Sequence, residues 1–298
     1  MESMQSRLLK LFLRTVKLNK MWKLTGEELR KSVLEKQKSE SPEPPKSFVG
    51  RYNVTRKETP LGGCYQMKPL GMVGKKHILY LHGGGYVYGI SSIHWEFLGK
   101  LADALDCTIT VPLYPLAPEY NHQEVFQMLL PIYEEVCTGI NQEDLVLMGD
   151  SAGGGIALAL AQLLKQMHLP QPGNIILLSP VLDMTFSNPE IVDMEGCDLI
   201  VATPALRDIA QWYRGGREIA HPLVSPIYGD LEGLGEVSLF IGTHEVLCPD
   251  ARRLKKMMDE KRISIGYYEY PGMLHVWPLF FLPESKKAVS EIIEIIRG

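Results

Sequence analysis

The sequence predicts an α/β fold in which a mostly parallel β-sheet is flanked by helices. Short β-like runs alternate with helical stretches along most of the chain, as expected of βαβ units. The run at 175–178 (IILL) is apolar throughout. Such a run is typical of a strand that a parallel sheet buries on both faces.

The alternating pattern begins after a helical lead. Residues 1–40 are helix-like, and residues 41–45 (SPEPP) end any helix and form an extended link. Residues 187–225 are the least regular part, which we interpret as an insertion and not as a separate domain. The predicted strands cover 48–54, 64–67, 78–81, 108–111, 145–148, 175–178, 237–241 and 265–270. The predicted helices lie at about 94–105, 122–137, 153–167, 204–214, 250–261 and 284–297.

Composition excludes several classes of protein. Among 298 residues, 31 are basic and 35 acidic, and this net charge of −4 argues against a dedicated nucleic-acid binder. Five scattered cysteines show no CxxC spacing, so we expect neither a disulfide framework nor a zinc module, and we expect a cytoplasmic location. No metal-ligand spacing or dinucleotide fingerprint is present, so no cofactor is expected.

The first apolar stretch, residues 8–16, is interrupted by Lys10 and Arg14 and resembles neither a signal peptide nor a membrane span. We therefore expect no stable membrane insertion. Its apolar residues recur at helical spacing opposite basic ones. Such a helix can lie on a membrane surface or pack over the entrance of its own domain, and we favour packing. The apolar set is Leu9, Phe12, Leu13 and Val16.

A Gly-x-Ser-x-Gly turn is the most informative feature. The apolar run at 145–148 (LVLM) leads into residues 149–153 (GDSAG), and small or apolar helix formers follow. This turn places a serine, here Ser151, in a strained and exposed position, and its glycines prevent collision with neighbouring backbone. The N–H of Ala152 is free to bind an oxyanion. A glycine-rich connection that binds phosphate is the alternative.

A second glycine-rich loop supports the catalytic interpretation. Residues 82–85 (HGGG) follow the predicted strand at 78–81. Their N–H groups can face a substrate carbonyl, and we expect Gly83 and Gly84 to be the oxyanion donors. His82 is interpreted as a structural residue that holds the loop. No Lys-Ser/Thr pair follows, as a phosphate-binding P-loop would require.

A nucleophilic serine needs a histidine base and an acid that orients it, in the chain order Ser, acid, His. His275 follows the last predicted strand and is the candidate base. Glu245 follows the strand at 237–241 and is the favoured acid. Asp250 is the rival, although it opens a predicted helix and can act as its cap. His244 is expected to flank the site.

These motifs resemble the hormone-sensitive-lipase-like branch of the α/β-hydrolases, which includes bacterial esterases and arylacetamide-deacetylase relatives. The resemblance covers residues 48–298 and rests on four blocks: 82–85 (HGGG), 114–119 (YPLAPE), 149–154 (GDSAGG) and 221–226 (HPLVSP). It implies an α/β-hydrolase fold with a central eight-stranded, mostly parallel sheet flanked by helices. It also implies a helical cap formed by residues 1–47 and an insertion at about 187–220.

The resemblance implies the roles of Ser151 as nucleophile, His275 as base, and Gly83, Gly84 and Ala152 as the oxyanion hole. Two departures stand out. The family usually has Asp-Pro-Leu where this chain has residues 245–247 (EVL), so the acid loop must lie slightly further back. It often has His-Gly-Phe where this chain has residues 275–277 (HVW), which changes the bulk beside the base.

The expected function is that of a serine carboxylesterase, which hydrolyses small esters of short to medium chain length through an acyl-enzyme. An amidase or deacetylase of the same fold is one alternative. Another is a non-catalytic binding protein like the plant gibberellin receptors, which lack the catalytic histidine. An exposed last strand would allow a homodimer through sheet edges. The residues predicted to line an apolar substrate pocket are Tyr86, Tyr88, Trp212, Tyr213 and Trp277.

Overall fold

The computed structural model describes residues 2–48, 50–71 and 73–298. Within them, one sheet of eight strands has the spatial order β1-β2-β4-β3-β5-β6-β7-β8, with strands numbered along the chain. The strands are Tyr52–Thr59 (β1), Gly62–Pro69 (β2), His77–Leu81 (β3), Thr108–Pro112 (β4), Leu145–Asp150 (β5), Asn174–Leu178 (β6), Glu236–His244 (β7) and Ile265–Leu274 (β8).

The sheet is mostly parallel, as predicted. Strands β1, β2 and β4 pair antiparallel, whereas the pairs β4–β3, β3–β5, β5–β6, β6–β7 and β7–β8 are all parallel. The predicted first strand, 48–54, is displaced. Phe48 ends a 3₁₀ helix and packs beside Tyr52, while β1 continues to Thr59, where it forms a hairpin with β2. Phe48 is therefore buried outside the sheet, whereas Tyr52 and Val54 of the predicted run belong to β1, and Val49 lies outside the described residues.

The helices flank the sheet and cover its carboxyl edge. They comprise Met4–Val16 (α1), Gly26–Ser39 (α2), Ser92–Leu105 (α3), His122–Cys137 (α4), Ala152–Gln166 (α5), Ile191–Met194 (α6), Thr203–Tyr213 (α7), Cys248–Glu260 (α8) and Pro283–Arg297 (α9). A 3₁₀ helix, Leu18–Lys23, joins α1 to α2. Among the residues described, no helix combines the length and apolar character needed to cross a bilayer.

Two hydrophobic cores lie on opposite faces of the sheet. In β5, Leu145 and Leu147 belong to the core beneath α4, α5 and α8, whereas Val146 and Met148 face the core beneath α3 and α9. Side chains alternate between the faces of a strand, so a strand buried on both faces must be apolar throughout. This explains the continuous apolar runs that predicted β3, β5 and β6.

Helix α1 packs differently from the sequence expectation. Of its predicted apolar set, Leu13 is buried, Leu9 is partly buried, and Phe12 and Val16 are exposed. The buried positions also include the polar residues Ser6 and Lys10. The expectation that the apolar stripe packs against the domain is therefore wrong for half of its members, because the helix docks by its polar edge.

Close backbone contacts explain two glycines of the Gly-x-Ser-x-Gly turn. A Cβ atom at Gly149 would collide with the carbonyl group of Gly153, and one at Gly153 would collide with the carbonyl oxygen of Leu81 in β3. The start of α5 therefore lies directly against the ends of β3 and β5. The predicted need for glycine at these two positions is confirmed.

We predict that Gly153→Ala destabilises the protein by about 1–3 kcal/mol, because the new methyl group forces α5 away from β3. The free energy of unfolding in urea measures this effect. Gly196→Ala is the matched control, since a Cβ there meets no atom within 4 Å, and its stability should change little. Equal effects of both substitutions would contradict this account of the turn.

Candidate active site

The carboxyl ends of three parallel strands bring the candidate catalytic residues together. Ser151 follows β5 directly, Glu245 follows β7, and His275 follows β8. Parallel strands all end at one edge of a sheet, which is where ligands bind in open α/β sheets. All three side chains are buried.

Two short hydrogen bonds connect these residues. His275 Nε2 lies 2.8 Å from Ser151 Oγ, and His275 Nδ1 lies 2.7 Å from Glu245 Oε2. An ionised carboxylate can only accept, so it favours the tautomer with the proton on Nδ1. Nε2 is then free to accept the hydroxyl proton of Ser151. The arrangement has the geometry of a nucleophile, a base and an orienting acid.

The second oxygen of Glu245 is held independently of His275. Oε1 accepts hydrogen bonds from the Ser179 hydroxyl at 2.8 Å and from the backbone N–H of Gly242 at 2.7 Å. Ser179 Oγ in turn accepts the N–H of Val276, beside the base. These contacts show how the longer acidic side chain is accommodated. Asp250 lies elsewhere, in α8, and accepts a hydrogen bond from Asn188.

The pKa of His275 is raised above its ordinary value of 6.5. Burial acts to lower the pKa, but the hydrogen bond and the negative charge of Glu245 outweigh it, and the charges of Asp198 and Asp150 act in the same direction. The imidazole is therefore a stronger base than an isolated histidine.

The backbone at Ser151 is strained. Its φ is 51° and its ψ is −119°, a conformation that side-chain-bearing residues rarely adopt. Three backbone hydrogen bonds hold it: Ser151 N–H donates to the Leu178 carbonyl, and the N–H groups of Val181 and Gly155 donate to the Ser151 carbonyl. The strain projects the hydroxyl towards His275 at the start of α5, where the Ala152 N–H has no helical partner.

The loop at 82–85 departs from expectation at one residue. Gly83 donates its N–H to Asp150 Oδ1 at 2.8 Å, so that group is not free for an oxyanion. Gly84 and Gly85 line the cavity at Ser151, and within the described chain their N–H groups donate to no other residue. The structure therefore favours Gly84 and Gly85, together with Ala152, over the predicted pair Gly83 and Gly84.

Asp150 connects the serine turn to the glycine loop. Its buried carboxylate accepts hydrogen bonds from the Tyr80 hydroxyl at 2.6 Å and from Gly83, and it lies 3.3 Å from His94 Nε2. Burial acts to raise the pKa of Asp150, but His94 and the other donors lower it below its ordinary value. The sequence analysis missed this role, although a charged residue at the end of an apolar strand was the available signal.

His82 contacts Gly83 of its own loop and Tyr114, and it is not among the residues that line the cavity beside His275. Its Nδ1 lies 2.7 Å from the Gly83 carbonyl oxygen, and its ring stacks on Tyr114 with the centroids 4.3 Å apart. Burial lowers the pKa of His82 to about 4, so the ring is neutral near pH 7. These contacts agree with the predicted structural role.

An apolar cavity of about 160 Å³ adjoins Ser151 and His275. None of the five aromatic residues predicted to line the pocket is among its lining residues. Trp277 is buried in the core beneath α3 and α9, and Tyr86 packs on Tyr213 with ring centroids 4.0 Å apart. The lining includes Trp22, Val181, Ile200, Val201, Leu206, Leu247 and Val276.

Two parts of the chain cover this cavity. Trp22 comes from the 3₁₀ helix after α1 and packs directly on Gly85. Ile200, Val201 and Leu206 come from the segment that was predicted as an insertion at about 187–220. The sequence did not predict Trp22 as a pocket residue, because it is distant along the chain from Gly85, Ser151 and His275, beside which it lies in the structure.

Asp198 connects the covering segment that carries Ile200 and Val201 to the loop that carries Glu245. Its carboxylate accepts backbone N–H groups from Ile200 and Val201 within its own segment, and from Val246 beside Glu245. Burial raises the pKa of Asp198 to about 6. The position of the covering segment is therefore linked to that of the acid.

No trio of His, Cys, Asp or Glu side chains arranged to hold a metal ion was found in the described ranges. The five cysteines are unpaired thiols, and Cys64, Cys107 and Cys248 are buried.

Comparison with known proteins agrees with this architecture. Residues 78–279 match the family described as alpha/beta hydrolase fold. An acetyl-hydrolase from Streptomyces hygroscopicus is 31% identical over 216 residues, which cover 72% of each chain. An esterase from Acinetobacter venetianus is 29% identical over 221 residues, which cover 73% of each chain.

Two solved structures are similar over nearly the whole chain. An esterase from the bacterial hormone-sensitive lipase family has a TM-score of 0.83 and 27% identity, covering 100% of this chain and 98% of that one. EstE5, soaked with p-nitrophenyl butyrate, has a TM-score of 0.85 and 27% identity, covering 99% and 98%. The chain therefore belongs to the α/β-hydrolase fold family, in its hormone-sensitive-lipase-like branch.

Proposed function

We propose that this protein is a serine carboxylesterase that hydrolyses small esters through an acyl-enzyme intermediate. One observation carries the proposal: an unbroken hydrogen-bond chain runs from Ser151 Oγ through His275 to Glu245. The Ser151 end of this chain lies beside the backbone N–H groups of Gly84 and Gly85, which donate to no other described residue, at an apolar cavity. The names of the similar proteins, esterase and acetyl-hydrolase, support the same reaction class.

Acylation begins when Ser151 Oγ attacks the ester carbonyl carbon and His275 Nε2 takes the hydroxyl proton. The Glu245 carboxylate stabilises the imidazolium through Nδ1–H. The N–H groups of Gly84, Gly85 and Ala152 donate hydrogen bonds to the negatively charged former carbonyl oxygen. Each of these donors contributes about 10²–10³-fold to kcat. His275 then gives its proton to the alkoxide oxygen, the C–O bond breaks, and the alcohol leaves.

Deacylation repeats these steps with water. The oxygen of a water molecule attacks the acyl carbon while His275 takes a proton from that water. The same N–H groups stabilise the second tetrahedral intermediate. The imidazolium then returns the proton to Ser151 Oγ, and the carboxylic acid is released. Asp150 has a positioning role here, because it holds the glycine loop against the serine turn.

The cavity supports small substrates. Its volume of about 160 Å³ is below the roughly 300–1,000 Å³ of common ligand pockets, and its walls are mainly apolar. Short acyl chains fit this space, whereas long chains would have to displace Trp22 or the segment that carries Ile200. EstE5, a structural relative, was soaked with a butyrate ester, which agrees with short-chain chemistry.

Replacing the nucleophile should abolish turnover. We expect Ser151→Ala to lower kcat on p-nitrophenyl butyrate by about 10⁶-fold, because the three residues act as a unit. A fluorophosphonate should label the parent protein at Ser151, as seen by mass spectrometry, and should not label the variant. An unlabelled parent, or a variant that keeps most of its activity, would contradict the proposal and favour a non-catalytic binding protein.

Removing the charge of the acid should change both rate and pH dependence. Glu245→Gln should lower kcat by about 10³–10⁴-fold, because the base loses the partner that selects its tautomer. The base must be neutral, so kcat/KM of the parent falls as pH drops through the raised pKa of His275. Glu245→Gln removes the main cause of that rise, and the acidic limb should move to lower pH.

Asp250→Asn is the matched control for the acid. Asp250 is buried and acidic like Glu245, but its partner is Asn188. The control should keep both the parent rate and the parent pH profile. A collapse of activity in Asp250→Asn, with Glu245→Gln unaffected, would assign the acid role to Asp250 instead.

Trp22 should limit the chain length of the substrate. Trp22→Ala enlarges the cavity, so we expect the kcat/KM maximum over p-nitrophenyl esters of graded length to move to longer acyl chains. Trp212→Ala is the control, because Trp212 is partly buried outside the cavity lining. It should leave the profile unchanged. A shift caused by Trp212→Ala alone would contradict the assignment of the pocket wall.

A further inference from the structure

Helix α1 turns its apolar face outward. Lys10 and Leu13 are buried, while five large apolar side chains of the same helix are between 49% and 75% exposed. At 100° per residue these five lie within one arc of about 140°, which also holds the exposed polar residues Gln5 and Thr15. Single exposed apolar residues are ordinary, but a contiguous apolar face marks an interaction surface. We call this set the α1 face: Met4, Leu8, Leu11, Phe12 and Val16.

The polar edge of α1 holds the helix on the domain. Ser3, its N-cap, donates its N–H and hydroxyl to the carboxylate of Glu284. Lys10 pairs with Glu2 at 2.7 Å and donates to His244 Nδ1 at 3.2 Å. Burial and the charge of Lys10 lower the pKa of His244, which keeps its ring neutral as an acceptor. These contacts fix the helix with its apolar face towards solvent.

Charge is segregated in the same part of the chain. Residues 1–24 contain six basic residues and one acidic residue, a net charge of +5, whereas the whole chain carries −4. Arg7 and Arg14 lie along one flank of the α1 face and are exposed, and they make no ion pair within the described residues. Exposed basic side chains beside an apolar helix face are typical of helices that lie in a lipid interface.

We propose that the α1 face docks this protein on an anionic lipid surface, with the helix lying in the interface plane. Apolar side chains would enter the headgroup boundary, and Arg7 and Arg14 would pair with lipid phosphates. A second copy of the chain fits less well, because two α1 faces in contact would bring their basic flanks together. The charge of the segment therefore favours anionic lipid.

The docking surface adjoins the cavity. Lys10 contacts His244, and Ser6 contacts Met273, so α1 lies at the ends of β7 and β8, where Glu245 and His275 are placed. Trp22 lies in the short 3₁₀ helix that follows α1, and it forms part of the cavity wall. A lipid surface bound by α1 would therefore lie close to the mouth of the site.

Vesicle binding tests the proposal. Cosedimentation should show binding of the parent protein to vesicles of phosphatidylcholine with phosphatidylglycerol, and much weaker binding to phosphatidylcholine alone. Leu8→Ser with Phe12→Ser should lower the partition coefficient at least about tenfold. Arg7→Gln with Arg14→Gln should lower the partition coefficient at low salt by about fivefold for each positive charge removed.

The matched control is Leu70→Ser with Val73→Ser, which removes apolar side chains that are 60% and 87% exposed after β2, at the opposite end of the sheet from β7 and β8. It should bind like the parent. Ser151→Ala should also bind like the parent, so failure of lipid binding and failure of the proposed esterase are distinguishable. The α1 variants should hydrolyse a monomeric soluble ester at the parent rate, which verifies their fold.

Two results would overturn the proposal. One is the absence of binding to anionic vesicles at low salt. The other is a concentration-dependent dimer in sedimentation equilibrium that Leu8→Ser with Phe12→Ser abolishes, because the α1 face would then be an interface between two copies.

Discussion

The candidate site depends on one constraint, that neighbouring parallel strands end at a single edge of the sheet. Strands β5, β6, β7 and β8 lie side by side in chain order, so the loops after them are brought together although they are distant in sequence. Ser151, Ser179, Glu245 and His275 each follow one of these strands. The sheet brings these side chains close together, and hydrogen bonds between the loops then set their final positions. The entropy cost of aligning the reactive groups is therefore lower.

A second constraint joins the two glycine-rich loops. Asp150 is the last residue of β5, and its carboxylate binds Tyr80 and Gly83 on the neighbouring strand and loop. Burying a carboxylate is costly unless hydrogen bonds satisfy it, and here several donors do so. The serine turn and the donor loop therefore cannot shift independently. Preorganised donors of this kind stabilise charge in the transition state without a further cost of reorganisation.

The sequence predicted the sheet, its helices and the three proposed catalytic residues, because these leave local signals: apolar strands, glycine turns and order along the chain. It failed where tertiary contacts decide. The sequence alone cannot tell which of Gly83 and Gly85 has a backbone N–H free for an oxyanion. The structure shows that the N–H of Gly83 donates to Asp150. Trp277 and Trp22 are equally aromatic, yet one packs in the core and the other lines the cavity. The apolar residues of α1 were recognised from the sequence. Which side of the helix packs on the domain depends on the contacts of Lys10 with Glu2 and His244, which the sequence does not reveal.

The contacts of Glu245 limit which acidic side chain this position can hold. One oxygen binds His275, while the other is shared by Ser179 and Gly242. Aspartate is one methylene shorter and would have to give up the contacts of one of these two oxygens. Glu245→Asp alone would therefore leave either the imidazole or the loop amide unsatisfied. Glu245 and its surrounding loop act as one unit, and a workable exchange of the acid must rebuild both together.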